Sequence, residues 1–327
     1  MSNKSKGISL FSATVLGIGG MMGAGLFSLL GTASSHADTH IPLAFLLGAI
    51  AASFSVYSYA KLGATFPSSG GPATFTVMSF GPGVISGGLN IFQYIAYFIA
   101  AALYAAGFAE YTNTLLGGSL SALEVKMVGV GIVILCAGVN LLGTDIVGTA
   151  ESLAIGFVTI ALLLFSAEGI HVANIQNFEI SSWSINGIAI ATGILHINYQ
   201  GFGVVTNSSN AMQEPQKELP LAMFSALIMV TSLCTSQLAV ILLLSQAQIV
   251  KYSGHVLADA AQIVAGKTGF IVIGTSALLA CAAALNATIF AASNIAADMA
   301  KKGSISEALG GSVLKLRCEP WQHQRLL

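Results

Sequence analysis

The chain has 327 residues, of which 55% are hydrophobic and 8% are charged. With a mean hydropathy of +0.81, this composition excludes a soluble globular domain. The net charge of −1 argues against a nucleic-acid partner. The four cysteines have no CxxC spacing, so they are interpreted as small buried residues rather than as a disulfide framework or a metal site.

Apolar runs long enough to cross a membrane recur along the whole chain. The loops between them are short, which predicts a single all-α polytopic domain over residues 1–327. The eight predicted spans are 9–31, 42–62, 83–110, 127–143, 149–168, 187–207, 220–245 and 268–299.

The positive charges predict how the chain is oriented, because cytoplasmic loops carry an excess of Lys and Arg. With a cytoplasmic N-terminus, nine basic residues lie inside and three lie outside. The inner set is Lys4, Lys6, Lys61, Lys217, Lys301, Lys302, Lys315, Arg317 and Arg325, and the outer set is Lys126, Lys251 and Lys267.

Five glycines lie within residues 17–27 of the first span. Each glycine costs a helix about 1 kcal/mol relative to alanine. Non-helical backbone at membrane depth is tolerated only where it is buried in protein or lines a water-filled cavity. The first span is therefore predicted to be interrupted at a binding site for a small polar solute.

A second interruption is predicted in span 6, where residues 193–203 place His196, Asn198 and Gln200 beside three glycines. Interrupted helices at corresponding positions of two halves indicate a transporter site. The alternative for either span is close helix packing through small residues.

Three connecting segments have recognisable chemistry. Residues 66–72 contain two prolines and two glycines and predict a cytoplasmic turn. Residues 169–186 predict a polar outer loop, and residues 254–266 predict a short amphipathic outer helix.

Four sequence elements resemble the amino acid–polyamine–organocation (APC) permease family over about residues 8–305. The resemblance is carried by the glycine-rich element at 19–27, the segment 59–72 that follows span 2, residues 199–222, and the pair of segments 285–288 and 299–303.

The resemblance implies the inverted five-helix repeat of the bacterial leucine transporter. The first repeat would cover about 9–168, an incomplete second repeat about 187–299, and residues 304–327 would form a cytoplasmic tail. It also implies a secondary transporter that moves an amino acid or related amine across the bacterial inner membrane by alternating access. No cofactor or metal is expected, and no nucleophile–base pair at membrane depth indicates an enzyme.

The two interruptions give the expected site its chemistry. Backbone N–H groups of Gly23, Ala24 and Gly25 would begin a half-helix that attracts a carboxylate. Carbonyls from Asn198 to Gln200 would accept hydrogen bonds from an ammonium group. The predicted substrate-binding residues are Gly20, Met22, Gly23, Ala24, Gly25, Asn198, Tyr199, Gln200, Gly201 and Phe202.

Several side chains have a second interpretation. Phe202 resembles the aromatic residue that closes over substrate in the family, or is an ordinary core aromatic. His196 is expected to make one packing hydrogen bond; the alternative is a cavity-lining residue that contacts substrate or a proton. Asn286 joins two helices or lines a cavity. Tyr94, Tyr97 and Tyr104 share roughly one face of span 3; packing is the default, with Tyr94 and Tyr97 as candidates for cavity lining.

Few residues of the spans carry a charge or could couple transport to an ion gradient. Glu110, Glu151 and Asp298 fall near span ends, where a solvated carboxylate costs little. Val158 occupies the position of a lysine that some proton-coupled family members use, and Ala283 and Ala284 replace hydroxyls that help to hold sodium in others. Exchange or facilitated diffusion is therefore favoured.

The number of spans departs from the family, in which a complete repeat pair needs ten. Residues 312–327 are too polar to form a span. We interpret these departures as a premature end of the chain. The alternative to a working transporter is therefore a remnant of a permease that cannot transport. A short permease, or one completed by a second chain, also remains open.

Overall fold

The computed structural model describes residues 8–141, 144–172, 184–252 and 254–301. Within these ranges the regular structure is helical, apart from one parallel β-bridge between Ile8 and Met212. Seven stretches are long and apolar enough to cross a membrane. The chain is an all-α polytopic membrane protein, which confirms the predicted class.

The helices of the first half supply spans 1 to 5. They are α1 Leu10–Met21, α2 Ala24–Ser28, α3 Leu30–Ala37, α4 Ile41–Thr65, α5 Pro72–Phe80, α6 Val84–Leu115, α7 Ala122–Leu141 and α8 Thr144–Val172. Those of the second half are α9 Ile185–His196, α10 Phe202–Thr206, α11 Pro215–Ser232, α12 Cys234–Leu243, α13 Gln246–Lys251 and α14 Val256–Lys301.

Predicted span 7 is the element that differs most from the structure. Residues 220–245 were expected to form one helix, but α11 ends at Ser232 and α12 begins at Cys234. The N–H of Leu233 donates to the carbonyls of both Met229 and Val230, at 3.3 and 3.2 Å. This tightened turn leaves two shorter helices, and neither belongs to the seven membrane-crossing stretches.

Helix α14 contains both the predicted outer helix and span 8. Its backbone leaves helical geometry at Ala265 and at Gly266, where φ is +60° and ψ is −150°. Only glycine adopts this region without strain. Residue 266 therefore separates the outer helix from the span, at the boundary that the sequence predicts.

The predicted turn after span 2 continues into a helix that the sequence analysis did not predict. Helix α4 ends at Thr65, and Pro72 begins the nine-residue helix α5. Proline suits this first position because it needs no N–H partner there. Residues 173–183 of the predicted outer loop and the predicted tail lie outside the described residues.

The interrupted spans occupy the centre of the bundle. Of the most apolar 18-residue stretch of the first span, 71% is buried inside the protein, whereas the corresponding share in α7 is 11%. Ile134 and Leu135 on α7 are largely exposed, as expected for side chains that face lipid. Helix α1 packs against α8, α10, α11 and α14.

The helix contacts follow an exchange pattern. Span 1 packs against α11 as span 6 packs against α4, and α6 packs against α14. The same contacts result when span 1 is interchanged with span 6, span 2 with span 7 and span 3 with span 8. An inverted repeat requires this symmetry. The five-helix repeat itself stays a prediction.

Candidate functional site

The first span is interrupted at Met22 and Gly23. The N–H of Met22 donates to the carbonyl of Ile18 at 2.8 Å and closes α1. Gly23 then turns the chain, with ψ at −151°, into the start of α2. The first N–H groups of a helix have no acceptor within it, so this turn presents backbone donors inside the bundle.

The sixth span is interrupted between His196 and Phe202 by a 3₁₀ turn. The N–H of Gln200 donates to the carbonyl of Ile197 at 3.2 Å, and that of Gly203 donates to the carbonyl of Gln200 at 3.3 Å. The carbonyl of Gln200 therefore already accepts a hydrogen bond. The carbonyls from Asn198 to Gln200 were all expected to be free, and this one is not.

The two interruptions meet at glycines. A Cβ built on Gly20 would lie 3.0 Å from the carbonyl oxygen of Gly201, and a Cβ on Gly201 would overlap the backbone of Gly20 and Met21. Spans 1 and 6 can approach this closely only because both residues lack a side chain.

Asn198 lies directly over Gly25. A Cβ on Gly25 would overlap the Oδ1 atom of Asn198. Asn198 is 2% exposed, and neither its Oδ1 nor its Nδ2 atom has a hydrogen-bond partner among the described residues. The Oγ atom of Ser28 is also buried and has no hydrogen-bond partner within the described ranges. A buried amide with neither group paired is costly, and a polar ligand would satisfy it.

Tyr104 covers the other side of the first interruption. A Cβ on Gly23 would lie 2.5 Å from Cε1 of Tyr104 and 2.6 Å from Cβ of Ala284. Spans 3 and 8 therefore close over the backbone donors of Gly23. Tyr104 shares the face of span 3 with Tyr94 and Tyr97, which were the predicted cavity-lining residues.

Residues 8–308 match the amino acid permease family. The chain belongs to this family. It is similar to an uncharacterized protein of Methanocaldococcus jannaschii, with 33% identity over 94% of this chain and 71% of that protein. It is also similar to the inner membrane transport protein YbaT of Escherichia coli, with 32% identity over 95% of this chain and 73% of YbaT. A methylthioribose transporter of Bacillus subtilis is 28% identical over 69% of this chain and 52% of that protein.

Two aromatic residues of span 6 are anchored to span 2 in the permease. The hydroxyl of Tyr199 donates to the carbonyl of Phe45 at 3.2 Å. The ring of Phe202 meets the ring of Tyr59 edge to face, with centroids 5.2 Å apart. Both contacts tie the interruption to its neighbouring span.

The polar residues of span 6 separate into two environments. The Nδ1 atom of His196 lies 3.4 Å from the carbonyl oxygen of Gly48, a single packing contact of the kind expected. Gln200 is exposed. Asn198 is therefore the side chain of this segment that faces the interruption of span 1.

The tyrosines of span 3 lie at different places. Tyr94 packs against Phe98, with ring centroids 4.9 Å apart. Tyr97 packs beside Val204 of α10, and its hydroxyl lies 3.8 Å from a Cβ built on Gly203. Tyr97 therefore reaches the second interruption, and Tyr104 reaches the first.

Asn286 joins two helices. Its Oδ1 atom accepts a hydrogen bond from Nδ2 of Asn140 at 2.5 Å, and that same group also donates to the carbonyl of Cys136 at 2.9 Å. This bond holds spans 4 and 8 together. Of the two interpretations of Asn286, the contact between two helices is therefore the one that the structure contains.

Two acidic residues differ from expectation. The Oε1 atom of Glu151 is buried, and the Asp298 carboxylate lies 2.6 Å from a Cβ built on Gly70. Both were expected to be solvated at span ends, and the structure turns both toward the protein. Glu110 is exposed, as expected.

Proposed function

We propose that the permease moves an amino acid or related amine across the membrane by alternating access. The observation that carries this proposal is the meeting of two interrupted spans, with the unpartnered amide of Asn198 held over Gly25. Two discontinuous helices that face each other at membrane depth form the substrate sites of many secondary transporters.

The chemistry of the site suits a zwitterion. Backbone N–H groups from Gly23 to Gly25 would donate to the carboxylate. The Oδ1 atom of Asn198 and carbonyls of the 3₁₀ turn would accept from the ammonium group. Neither end of the substrate needs a charged side chain. This agrees with residues 17–27 and 193–203, which contain no Asp, Glu, Lys or Arg.

The site is closed on the predicted cytoplasmic side by a small set of hydrogen bonds. The N–H of Ser68 donates to Oγ of Ser209 at 3.0 Å, and that oxygen donates back to the carbonyl of Ser68 at 3.3 Å. The N–H of Ile8 donates to the carbonyl of Ala211 at 3.0 Å. Each such bond contributes about 1 kcal/mol net, so these hydrogen bonds by themselves hold this side only weakly.

The membrane location extends the same proposal. The permease is a multi-pass membrane protein. We place it in the bacterial inner membrane, with the N-terminus in the cytoplasm, on the excess of basic residues in the predicted inner segments.

The test is uptake and counterflow in proteoliposomes. The panel contains the twenty amino acids, their decarboxylated amines, and methylthioribose because one relative is named for it. We expect saturable counterflow of at least one amino acid or amine. Insertion without uptake, exchange or binding of any compound would contradict the proposal and favour the transport-incompetent remnant.

A further inference from the structure

Span 5 carries a carboxylate that the proposed substrate site does not use. Glu151, in the second turn of α8, directs Oε1 toward span 1, where a Cβ built on Gly19 would lie 3.1 Å away. Ile155, one turn further along α8, packs against the same glycine. The missing side chain of Gly19 is what lets the carboxyl group reach the backbone of α1.

The Oε1 atom of Glu151 is buried and has no hydrogen-bond partner among the described residues. An unpaired carboxylate within a membrane span is expensive when charged, and such residues commonly serve proton or ion pathways. An unsatisfied oxygen in this position therefore calls for a bound cation or a bound proton.

No positive charge of the described residues faces Glu151. Helix α8 packs against α1, α7, α12 and α14. Helices α1 and α12 contain no charged residue, and the titratable neighbour on α7 is the thiol of Cys136. The charged residues of α7 and α14 lie elsewhere: Glu124, Lys126, Lys267 and Lys301 are exposed, Asp259 pairs with His255, and Asp298 lies at Gly70.

The end of α1 further disfavours the charged carboxylate. Gly19 lies in the last turn of α1, which ends at Met21. The carbonyls of a last helical turn lack helical partners, and that end carries partial negative charge. A carboxylate is repelled there, whereas a protonated carboxyl group can donate to a carbonyl oxygen.

We propose that Glu151 is a proton-binding site that couples transport to the proton gradient. With the substrate site open on the outer side, its carboxylate takes a proton from hydronium and leaves water, and the closed arrangement then holds the carboxyl group protonated. When α1 separates from α8, water reaches the carboxyl group and accepts that proton. Gly19 lies four residues before Gly23, about 6 Å along a helix, so the same movement of α1 opens the substrate site.

This inference rests on the proposed function and revises the expectation of exchange or facilitated diffusion. That expectation was based on Val158 and on the alanines of span 8, where the coupling groups of relatives would lie. Glu151 is two turns before Val158 on the same helix. The carboxylate thus supplies a coupling group at a position other than the one that the resemblance indicates.

The experiment compares the permease with E151Q and E168Q in proteoliposomes. Glu168 is the matched control, because it is an exposed carboxylate on the same helix. Counterflow and uptake of an equimolar radiolabelled mixture of the twenty amino acids and their decarboxylated amines are measured with and without an inward proton gradient, and with an inward sodium gradient. A dye inside the vesicles reports proton entry.

With one proton per substrate, a gradient of about one pH unit supports about tenfold accumulation. We expect this accumulation, with proton entry, for the permease and for E168Q. We expect counterflow without accumulation for E151Q. Accumulation by E151Q, accumulation driven by sodium, or counterflow without proton-driven accumulation in the unaltered permease would overturn the proposal. Absence of all counterflow in the unaltered permease would instead overturn the proposed function.

A second measurement decides the case if E151Q loses counterflow as well. Glutamine imitates the protonated carboxyl group, so E151Q and the permease should melt at nearly the same temperature at about pH 4, below the usual glutamate pKa, and E151Q should melt higher at about pH 8. Equal melting temperatures at both pH values would overturn the proposal. Glu168→Gln again supplies the control and should follow the unaltered permease.

Discussion

Gly25 is the residue whose replacement tests the site most directly. In Gly25→Ala, the new Cβ overlaps Oδ1 of Asn198, so the amide is displaced and substrate binding is lost. Alanine otherwise favours a helix by about 1 kcal/mol relative to glycine. We therefore expect the loss to appear as an absence of counterflow, with insertion into the membrane retained.

The matched control for this prediction is Gly193→Ala, in α9. A Cβ at Gly193 has no atom within 4 Å, so counterflow should be unchanged and the free energy of unfolding should rise slightly. Normal counterflow by Gly25→Ala would show that Asn198 does not need its position over Gly25.

Asn198 allows stability and binding to be separated. In Asn198→Leu, a buried amide that has no hydrogen-bond partner in the described part of the chain is replaced by an apolar side chain of similar size. We expect the free energy of unfolding of the empty permease to rise by about 1–2 kcal/mol. The rise in melting temperature that a transported compound produces should disappear, because the polar contact is gone.

Asn140→Leu is the opposite case and serves as the comparison. Its amide holds the carbonyl of Cys136 and the Oδ1 atom of Asn286, so its loss should lower the melting temperature. A lower melting temperature for both variants would mean that Asn198 has a structural partner.

The sequence predicted the backbone of the site better than its side chains. Glycine clusters report directly where a helix is weak and where two backbones can touch, as Gly20 and Gly201 do. Side chains from other spans are harder to place, because their direction depends on how the helices rotate against one another. Tyr97 and Tyr104 share a face of span 3, yet they reach different interruptions.

At the scale of the helix, the outer segment before span 8 contains a titratable pair. Nδ1 of His255 hydrogen-bonds to Oδ2 of Asp259, one turn later. This bond raises the pKa of His255 above its usual value. The stabilisation is complete below about pH 6.5, the pKa of an unfolded histidine, and it is lost as the pH rises through the higher folded value.

The permease should therefore lose more thermal stability than His255→Gln as the pH rises from about 6 to about 8. The difference between the two melting curves is the quantity to measure, because other groups titrate in both proteins. Parallel curves over this range would show that the pair does not stabilise the outer helix.

The spans were predicted well where hydropathy alone decides, and less well where local backbone chemistry does. Span 7 is apolar enough overall to be predicted as one helix, but the turn at Leu233 divides it. Helix α5 was missed because the prolines and glycines before it indicate a turn, although Pro72 is well suited to begin a helix. Composition does not distinguish these two uses of proline.

At the scale of the whole molecule, the contacts that close the two sides of the site differ in kind. On the side away from the predicted cytoplasm, the hydroxyl of Tyr111 donates to the carbonyl of Phe27 at 3.0 Å, within the hydrophobic core. Toward the predicted cytoplasm, the part-buried bonds between Ser68 and Ser209 join the turn after span 2 to the segment after span 6. Alternating access requires that such contacts break in turn while spans 1 and 6 stay together.

The cytoplasmic contact can be locked to test this requirement. In the double variant Ser68→Cys/Ser209→Cys, a short thiol cross-linker that attaches through reducible disulfides should join the two thiols, because the side chain of Ser209 touches the backbone of Ser68. We expect the cross-link to abolish counterflow and a reductant to restore it. Each single cysteine variant should transport under both conditions, which controls for the native cysteines. Full counterflow by the cross-linked protein would show that this side does not open, and alternating access through it would be wrong.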